Sequence, residues 1–280
     1  MQNLNGKRVV VTGGSQGLGL AMVEALVASG ANVTAISRDR SNLEAAEEVG
    51  ASVIAGDAID ATLMNSVVRD EMPDVLILNA GTRLPIKPID QQTWDEFSIV
   101  WNTDVKAGLV GIQAALNTPM KQGGRILVMS SGASMVLAVP FINPENLSLS
   151  GGYVGAKRML WFMAHSANTV SRDRGLGLHF QVLAPMQLIP GTTLGHEVAA
   201  ACAEIEGVSV DEHVMKRYGS VLHPMQIGKQ VAELLADPRY MQGVAYGFRS
   251  ECEILPLDVT YDASNTAIPE EAIVNDRGSK

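Results

Sequence analysis

The sequence predicts an α/β fold: a doubly wound parallel sheet with helices on both faces, in three layers α/β/α. Three observations predict it. Short β-branched runs alternate with helical stretches, which implies parallel strands joined by crossover helices. The first run passes through a glycine-rich turn directly into a helix. The polar residues able to do chemistry fall just after strands, at the carboxyl edge where such sheets bind ligands.

Along the chain, Arg8-Val9-Val10-Val11-Thr12 is apolar and β-branched, a buried strand. Gly13-Gly14-Ser15-Gln16-Gly17-Leu18-Gly19 is the turn, and residues 20–29 are the helix that Gly30 ends. Glycines let the backbone turn sharply and approach a ligand, and a helix start offers free N–H groups to a pyrophosphate. A glycine turn needed only for packing is the alternative, and the strand–turn–helix context favours the phosphate. Asn32–Ser37 is the second strand, with Arg38 at its tip. A carboxylate there would accept from a ribose 2′-hydroxyl, whereas an arginine suits a 2′-phosphate. Ser37-Arg38 takes that place, with Asp39 just beyond, so the expected cofactor is NADP rather than NAD; an exposed loop arginine is the alternative. Residues 41–49 read as a helix, Ser52–Ala55 as a third strand followed by Asp57, residues 60–70 as a helix, and 74–78 as a fourth strand ending at Asn79-Ala80-Gly81.

Residues 93–117 form a long helical region broken near Trp101 to Asp104, and 125–130 a fifth strand ending in Ser130-Ser131-Gly132. The stretch 133–152 is unusually long and carries Pro140 and Pro144 as helix breakers. A helix then runs over 153–171 and a sixth strand over 179–183, followed by Ala184-Pro185-Met186. Residues 187–218 read as a mobile segment with one or two short helices. Pro224–Ala236 is a helix with proline in its first turn, 240–248 the last strand, and 263–280 a polar tail.

Composition excludes several classes. The chain has 280 residues and a net charge of −9, which argues against a non-specific nucleic-acid surface. Its longest apolar runs are strand-length, too short for a membrane span. Met1 to Gly6 is polar and leads straight into a strand, so no signal peptide is expected. Two cysteines, Cys202 and Cys252, make no disulfide framework and fit a reducing, cytoplasmic setting. No histidine, cysteine or acid cluster has metal-ligand spacing.

Tyr153 and Lys157 stand four apart, one helical turn above each other. A phenol titrates near pH ~10, and an adjacent ammonium favours its phenolate. The pair is therefore a tunable acid–base device. Taken alone the pattern is common, and an exposed Tyr and Lys sharing a face is the bland reading; its company upstream decides for the device.

With Thr12-Gly13-x-x-x-Gly17-x-Gly19, Asn79-Ala80-Gly81, Ser131 and Tyr153-x-x-x-Lys157 in this order, the chain resembles the short-chain dehydrogenase/reductase family over roughly residues 7–248. The resemblance implies a Rossmann fold, with residues 1–262 as one catalytic domain, 133–152 and 186–220 on the substrate side, and 263–280 outside it. It implies that Gly13, Ser15, Gln16, Gly17, Leu18 and Gly19 line the pyrophosphate turn, that Ser37 and Arg38 meet the adenosine ribose, and that Asp57 and Ala58 meet the adenine. Asn79, Ala80 and Gly81 would lie beside the cofactor, Asn79 steadying the central sheet. Tyr153 would be the general acid in reduction, Lys157 would bind the nicotinamide ribose, Ser131 would hold the substrate oxygen, and the backbone near Pro185 and Leu188 would face the nicotinamide amide. It implies a homodimer or homotetramer paired through the helices that begin near Asp104 and Tyr153.

Three departures stand out. The family's serine lies 13 residues before the tyrosine, where this chain has Pro140; Ser131 fits after an insertion of about nine residues, with Ser134 and then Ser130 as alternatives. The asparagine that holds a relay water falls on Asp104 in the family's spacing, or on Asn102 if the register differs. The glycine usual after Pro185 is Met186, which is expected to send its side chain towards the substrate. The apolar content of 133–152 and 186–218 points to a mostly apolar ketone or secondary alcohol. The other class of function is a cofactor-binding regulator or scaffold without catalysis.

Overall fold

A computed structural model describes residues 4–135, 152–250 and 254–257. The strands among them join one sheet. They are β1 (Arg8–Thr12), β2 (Asn32–Ser37), β3 (Ser52–Ala55), β4 (Val75–Leu78), β5 (Arg125–Met129), β6 (His179–Pro185), β7 (Ala245–Phe248) and β8 (Leu255–Pro256). Their order is β3-β2-β1-β4-β5-β6-β7-β8, parallel throughout except for β7–β8. The helices are α1 (Gly17–Ala28), α2 (Glu44–Glu48), α3 (Ala61–Glu71), α4 (Trp94–Val100), α5 (Lys106–Asn117), α6 (Gly152–Asp173), α7 (Thr193–Glu206), α8 (Val210–Tyr218) and α9 (Pro224–Ala236). The chain leaves β1 towards β2 and β3, then crosses back to β4 on the other side of β1. That reversal opens a crevice beyond the carboxyl ends of β1 and β4.

Alternation along the strands splits the core in two. Val9, Val11, Val75, Ile77, Leu127 and Leu183 pack with α1 and α9, while Val10, Leu76, Leu78, Ile126, Val128 and Val182 pack with α3, α5 and α6. Strands buried on both faces can be continuously apolar, which is how these runs read in the sequence. Among the described residues no helix is long and apolar enough to cross a membrane.

Several elements differ from the sequence expectation. Helix α1 begins at Gly17, inside the glycine turn, three residues early. The expected helix over 41–49 is a 3-10 turn, Arg40–Leu43, and a short α2, because the Asp39 carboxylate caps Ser41 and starts the chain turning early. The expected strand over 240–248 begins only at Ala245, since Tyr240 closes a 3-10 turn. The two-residue β8 was not foreseen; its Pro256 suits a sheet edge. Residues 187–218 are more ordered than their composition implied. Thr192 caps the 14-residue α7, Gly207 ends it at φ 66°, and a Ser209–Glu212 capping box starts α8. The proposed inserted stretch falls mostly on 136–151, which lies outside the described residues, as do Cys252 and the tail 263–280.

One buried cation ties the sheet to α9. Arg125, on β5, donates to Gln181 Oε1 (2.8 Å) and to the carbonyls of Leu234 (3.1 Å), Leu235 (3.3 Å) and Tyr240 (3.4 Å). Burial lowers its pKa to about 10, with the Tyr246 phenol opposing, so it is charged at neutral pH where it meets the carbonyl end of α9. Arg125→Met leaves those acceptors unpaired and lowers stability by about 3 kcal/mol, read as a depressed melting temperature. Arg125→Lys recovers little, because one ammonium cannot span four acceptors.

Candidate active site

The crevice beyond β1 and β4 is a cavity of about 440 Å³. Its first wall is the glycine turn. Gly13 and Gly17 adopt φ 68° and 54°, and a Cβ on Gly19 would lie 1.9 Å from the Gly13 carbonyl oxygen. No side chain caps the start of α1 and its first turn holds no acid, so its N–H groups face the cleft unopposed. A backbone cradle with a positive helix end fits a pyrophosphate.

Thr12 and Asn79 hold this cradle to β4. Thr12 Oγ1 donates to the Ile77 carbonyl (3.2 Å) and accepts the amides of Asn79 (3.0 Å) and Ala80 (3.1 Å). Asn79 Nδ2 donates to the carbonyls of Thr12 (3.1 Å) and Gly13 (3.3 Å). The motif contains Thr12, but its knot with β4 is invisible until the strands are paired.

At the tip of β2, Ser37 and Arg38 line the cleft. Asp39 turns away, accepting the Ser41 amide (3.0 Å) and hydroxyl (2.8 Å). Arg40 is engaged by Glu47 at 2.6 Å. Among the described residues no ion pair involves Arg38. Asp57 and Ala58 lie beyond the end of β3, where the Asp57 carboxylate accepts the Ile59 amide at 3.2 Å.

The far wall brings together residues distant in sequence. Tyr153 and Lys157 rise from the first turns of α6, the ammonium 5.6 Å from the phenol ring centre. Ser131, just past β5, lines the same cleft and its hydroxyl accepts the Ala133 amide at 3.2 Å. The other two serines are buried and committed. Ser130 Oγ donates to the Lys157 carbonyl (2.9 Å), and Ser134 Oγ to the Ser131 carbonyl (2.6 Å).

Asp104 is 3% exposed and lies in a π turn, Trp101–Val105, between α4 and α5. The Thr103 hydroxyl donates to the Ile99 carbonyl there, a side-chain bond that competes with the regular ladder. The extra residue of a π turn rotates the next helical turn about the axis. Asp104 faces the cleft, while Asn102 is exposed and donates to Ser98 Oγ. The carboxylate of Asp104 accepts the Thr82 amide on Oδ1 (2.8 Å) and the Lys157 ammonium on Oδ2 (3.0 Å). Each oxygen of this carboxylate, the one expected to accept a relay water, thus has a protein partner, one of them the lysine itself, and each keeps a further lone pair for a water. Burial alone would lower Lys157, but the Asp104 carboxylate, helped by Tyr153, outweighs it and holds the ammonium above the ordinary lysine range.

Gly81, Pro185 and Leu188 also line the cleft. Met186 does not: its Sδ lies 3.2 Å from the Cβ position of Gly132, and its Cγ 3.0 Å from that of Gly247. Two glycines, one in the turn after β5 and one on β7, leave room for the side chain that was expected to point towards substrate. Unforeseen in the sequence are Leu84 and Ile86, from the loop after β4. With Leu194 and Val198 of α7 they pack beside Tyr153 as an apolar wall. Cys202 lies buried against the same cleft. Among the described residues no group of His, Cys, Asp or Glu has metal-binding geometry.

Comparison with known proteins points to one family of oxidoreductases. Residues 7–142 match the short chain dehydrogenase family. The chain is 26% identical to the oxidoreductase asL5 of Sarocladium schorii, over 84% of this chain and 90% of that protein. It is 30% identical to the cyclic-di-GMP-binding biofilm dispersal mediator protein of Escherichia coli (strain K12), over 66% of this chain and 74% of that protein. Among solved structures it is similar to a blue fluorescent protein from a metagenomic library in complex with NADPH. That match has a TM-score of 0.63 and 25% identity, and covers 88% of this chain and 97% of the other.

Proposed function

The chain belongs to the short-chain dehydrogenase family of oxidoreductases, and on that premise we propose that it transfers hydride between NADP(H) and a mostly apolar ketone or secondary alcohol. The observation that carries this reading is the meeting of Tyr153, Lys157 and Ser131 on one wall of a cleft whose other wall is the glycine cradle.

NADP(H), when bound, supplies or accepts the hydride. Gly13, Ser15, Gln16, Gly17, Leu18 and Gly19 would hold its pyrophosphate, Asp57 and Ala58 its adenine, and Asn79, Ala80, Gly81, Pro185 and Leu188 its nicotinamide side. Ser131 and Tyr153 orient the carbonyl oxygen, and Tyr153 passes it a proton in reduction. Lys157 supports that phenol electrostatically. Leu84, Ile86, Leu194 and Val198 favour an apolar substrate body and keep water from the reacting carbon. Exposed Leu109 on α5 and Phe162 on α6 support pairing through these helices into a homodimer or homotetramer.

The test is NADPH and NADH oxidation over a panel of aliphatic and aromatic ketones. Turnover with NADPH preferred is the expected result, and binding of NADPH without turnover on any carbonyl would favour a regulator instead. Arg38→Ala reduces the NADPH-over-NADH preference by about 10–100-fold in kcat/KM, the scale of one charge-assisted contact to phosphate. An unchanged ratio removes Arg38 from the 2′-phosphate.

A further inference from the structure

The buried partner of Lys157 has a consequence beyond holding it in place. From this geometry we propose that Asp104 is the counter-ion that lets the Tyr153–Lys157 couple keep both its protons to higher pH, biasing the site towards carbonyl reduction. The proposal rests on the functional reading above and makes Asp104 a positioning residue, acting on the substrate only through its neighbours.

Three observations support it. The Asp104 carboxylate is 3% exposed and 3.0 Å from the ammonium, so water screens the pair little. The site is shaped for it: a Cβ on Gly81 would lie 2.8 Å from Oδ2, and the Thr82 amide fixes Oδ1. The charged groups around the couple have partners of their own or are exposed. Of those on elements packed against α6, Arg125 is bonded to Gln181 and the α9 carbonyls, and His179 lies by the Gly243 carbonyl. Glu96 is held by Lys87, and Asp95 and Lys106 are exposed. On α6 itself, Arg158 donates to the Ser134 carbonyl. Across the cleft, Arg83 pairs with Glu197.

The sign is set by charge. An ammonium alone favours the phenolate, and a carboxylate on that ammonium opposes it. Removing one negative charge eases the first proton loss from the couple, whichever group releases it. Reduction needs the fully protonated couple and oxidation the singly deprotonated one. Asp104 therefore extends reduction to higher pH and delays oxidation.

Asp104→Asn keeps the shape and removes the charge. In the free protein, the tyrosinate absorbance owed to Tyr153 is obtained by subtracting the matching Tyr153→Phe protein, with and without Asp104→Asn. It should appear about one pH unit lower, or more, in the Asn background, the scale set by one unit charge a few ångströms away. Asp104→Glu should restore the native titration. An unchanged or upward-shifted titration in Asp104→Asn overturns the proposal. Should the Asn protein fail to fold, a titration of the native protein decides. Carbon-13 labelled lysine, assigned with Lys157→Arg, should show Lys157 as ammonium up to the pH at which the fold is lost, and early conversion to the amine overturns the idea. The titration needs no turnover. A shifted titration with no reduction of any ketone supports the counter-ion and overturns the oxidoreductase reading, whereas turnover with an unshifted titration overturns the counter-ion alone.

Discussion

Replacing Tyr153 by Phe lowers carbonyl reduction by about 10²–10⁴-fold, the usual worth of an oriented proton donor. The change removes one hydroxyl and leaves the ring, which packs beside Leu84, Ile86 and Leu194. Stability and NADPH affinity stay close to native, because the glycine cradle lies on the opposite wall. The loss should fall on kcat as well as kcat/KM, since proton transfer to the substrate oxygen completes in the transition state. Steady-state NADPH oxidation and a fluorescence titration of NADPH binding check both halves. A Phe variant that keeps most of its activity means the proton comes from elsewhere, and the role given to Tyr153 is wrong.

Gly19→Ala has the opposite signature: binding goes first. The added methyl would sit 1.9 Å from the Gly13 carbonyl oxygen and 2.7 Å from Asn79 Nδ2. The nearest atom is backbone, so no rotamer relieves the clash and the turn itself must shift. A shift of that kind pulls N–H groups away from the pyrophosphate. Losing about two charge-assisted hydrogen bonds, at ~1.5–3 kcal/mol each, weakens NADPH binding by roughly 10²–10⁴-fold. The fold survives, because the core beneath is supplied by Val9, Val11, Met22 and Leu26 and overpacking typically costs about 1–3 kcal/mol. Calorimetric titration with NADPH, alongside a thermal melt, reads the two effects separately. Native affinity in a folded Gly19→Ala protein would show that the turn does not hold the cofactor.

Much of this architecture is local and so was legible in the residues. Strands β1, β2 and β3 have the expected bounds, as does α9, because β-branched runs and a first-turn proline signal themselves over a few positions. The break in the long helical region falls at Trp101, where the structure has its π turn. Helices α7 and α8 fill the place where one or two short helices were expected, but their bounds and the 14-residue length of α7 were not foreseen, because their caps, Thr192 and Ser209, sit in a segment whose composition reads as loop.

What the sequence by itself determined is the α/β order of elements, the glycine turn against a helix start, and a tyrosine and lysine one helical turn apart. Those properties arise from period and propensity within a few residues. Only the tertiary structure decided that Ser130 and Ser134 give their hydroxyl protons to carbonyls, that Asp104 and not Asn102 turns inward to meet Lys157, that Met186 lies on Gly132 and Gly247, and that the loop after β4 closes with α7 into an apolar wall. Each of these depends on where a side chain points once segments distant in sequence are packed together, and no local pattern encodes that direction.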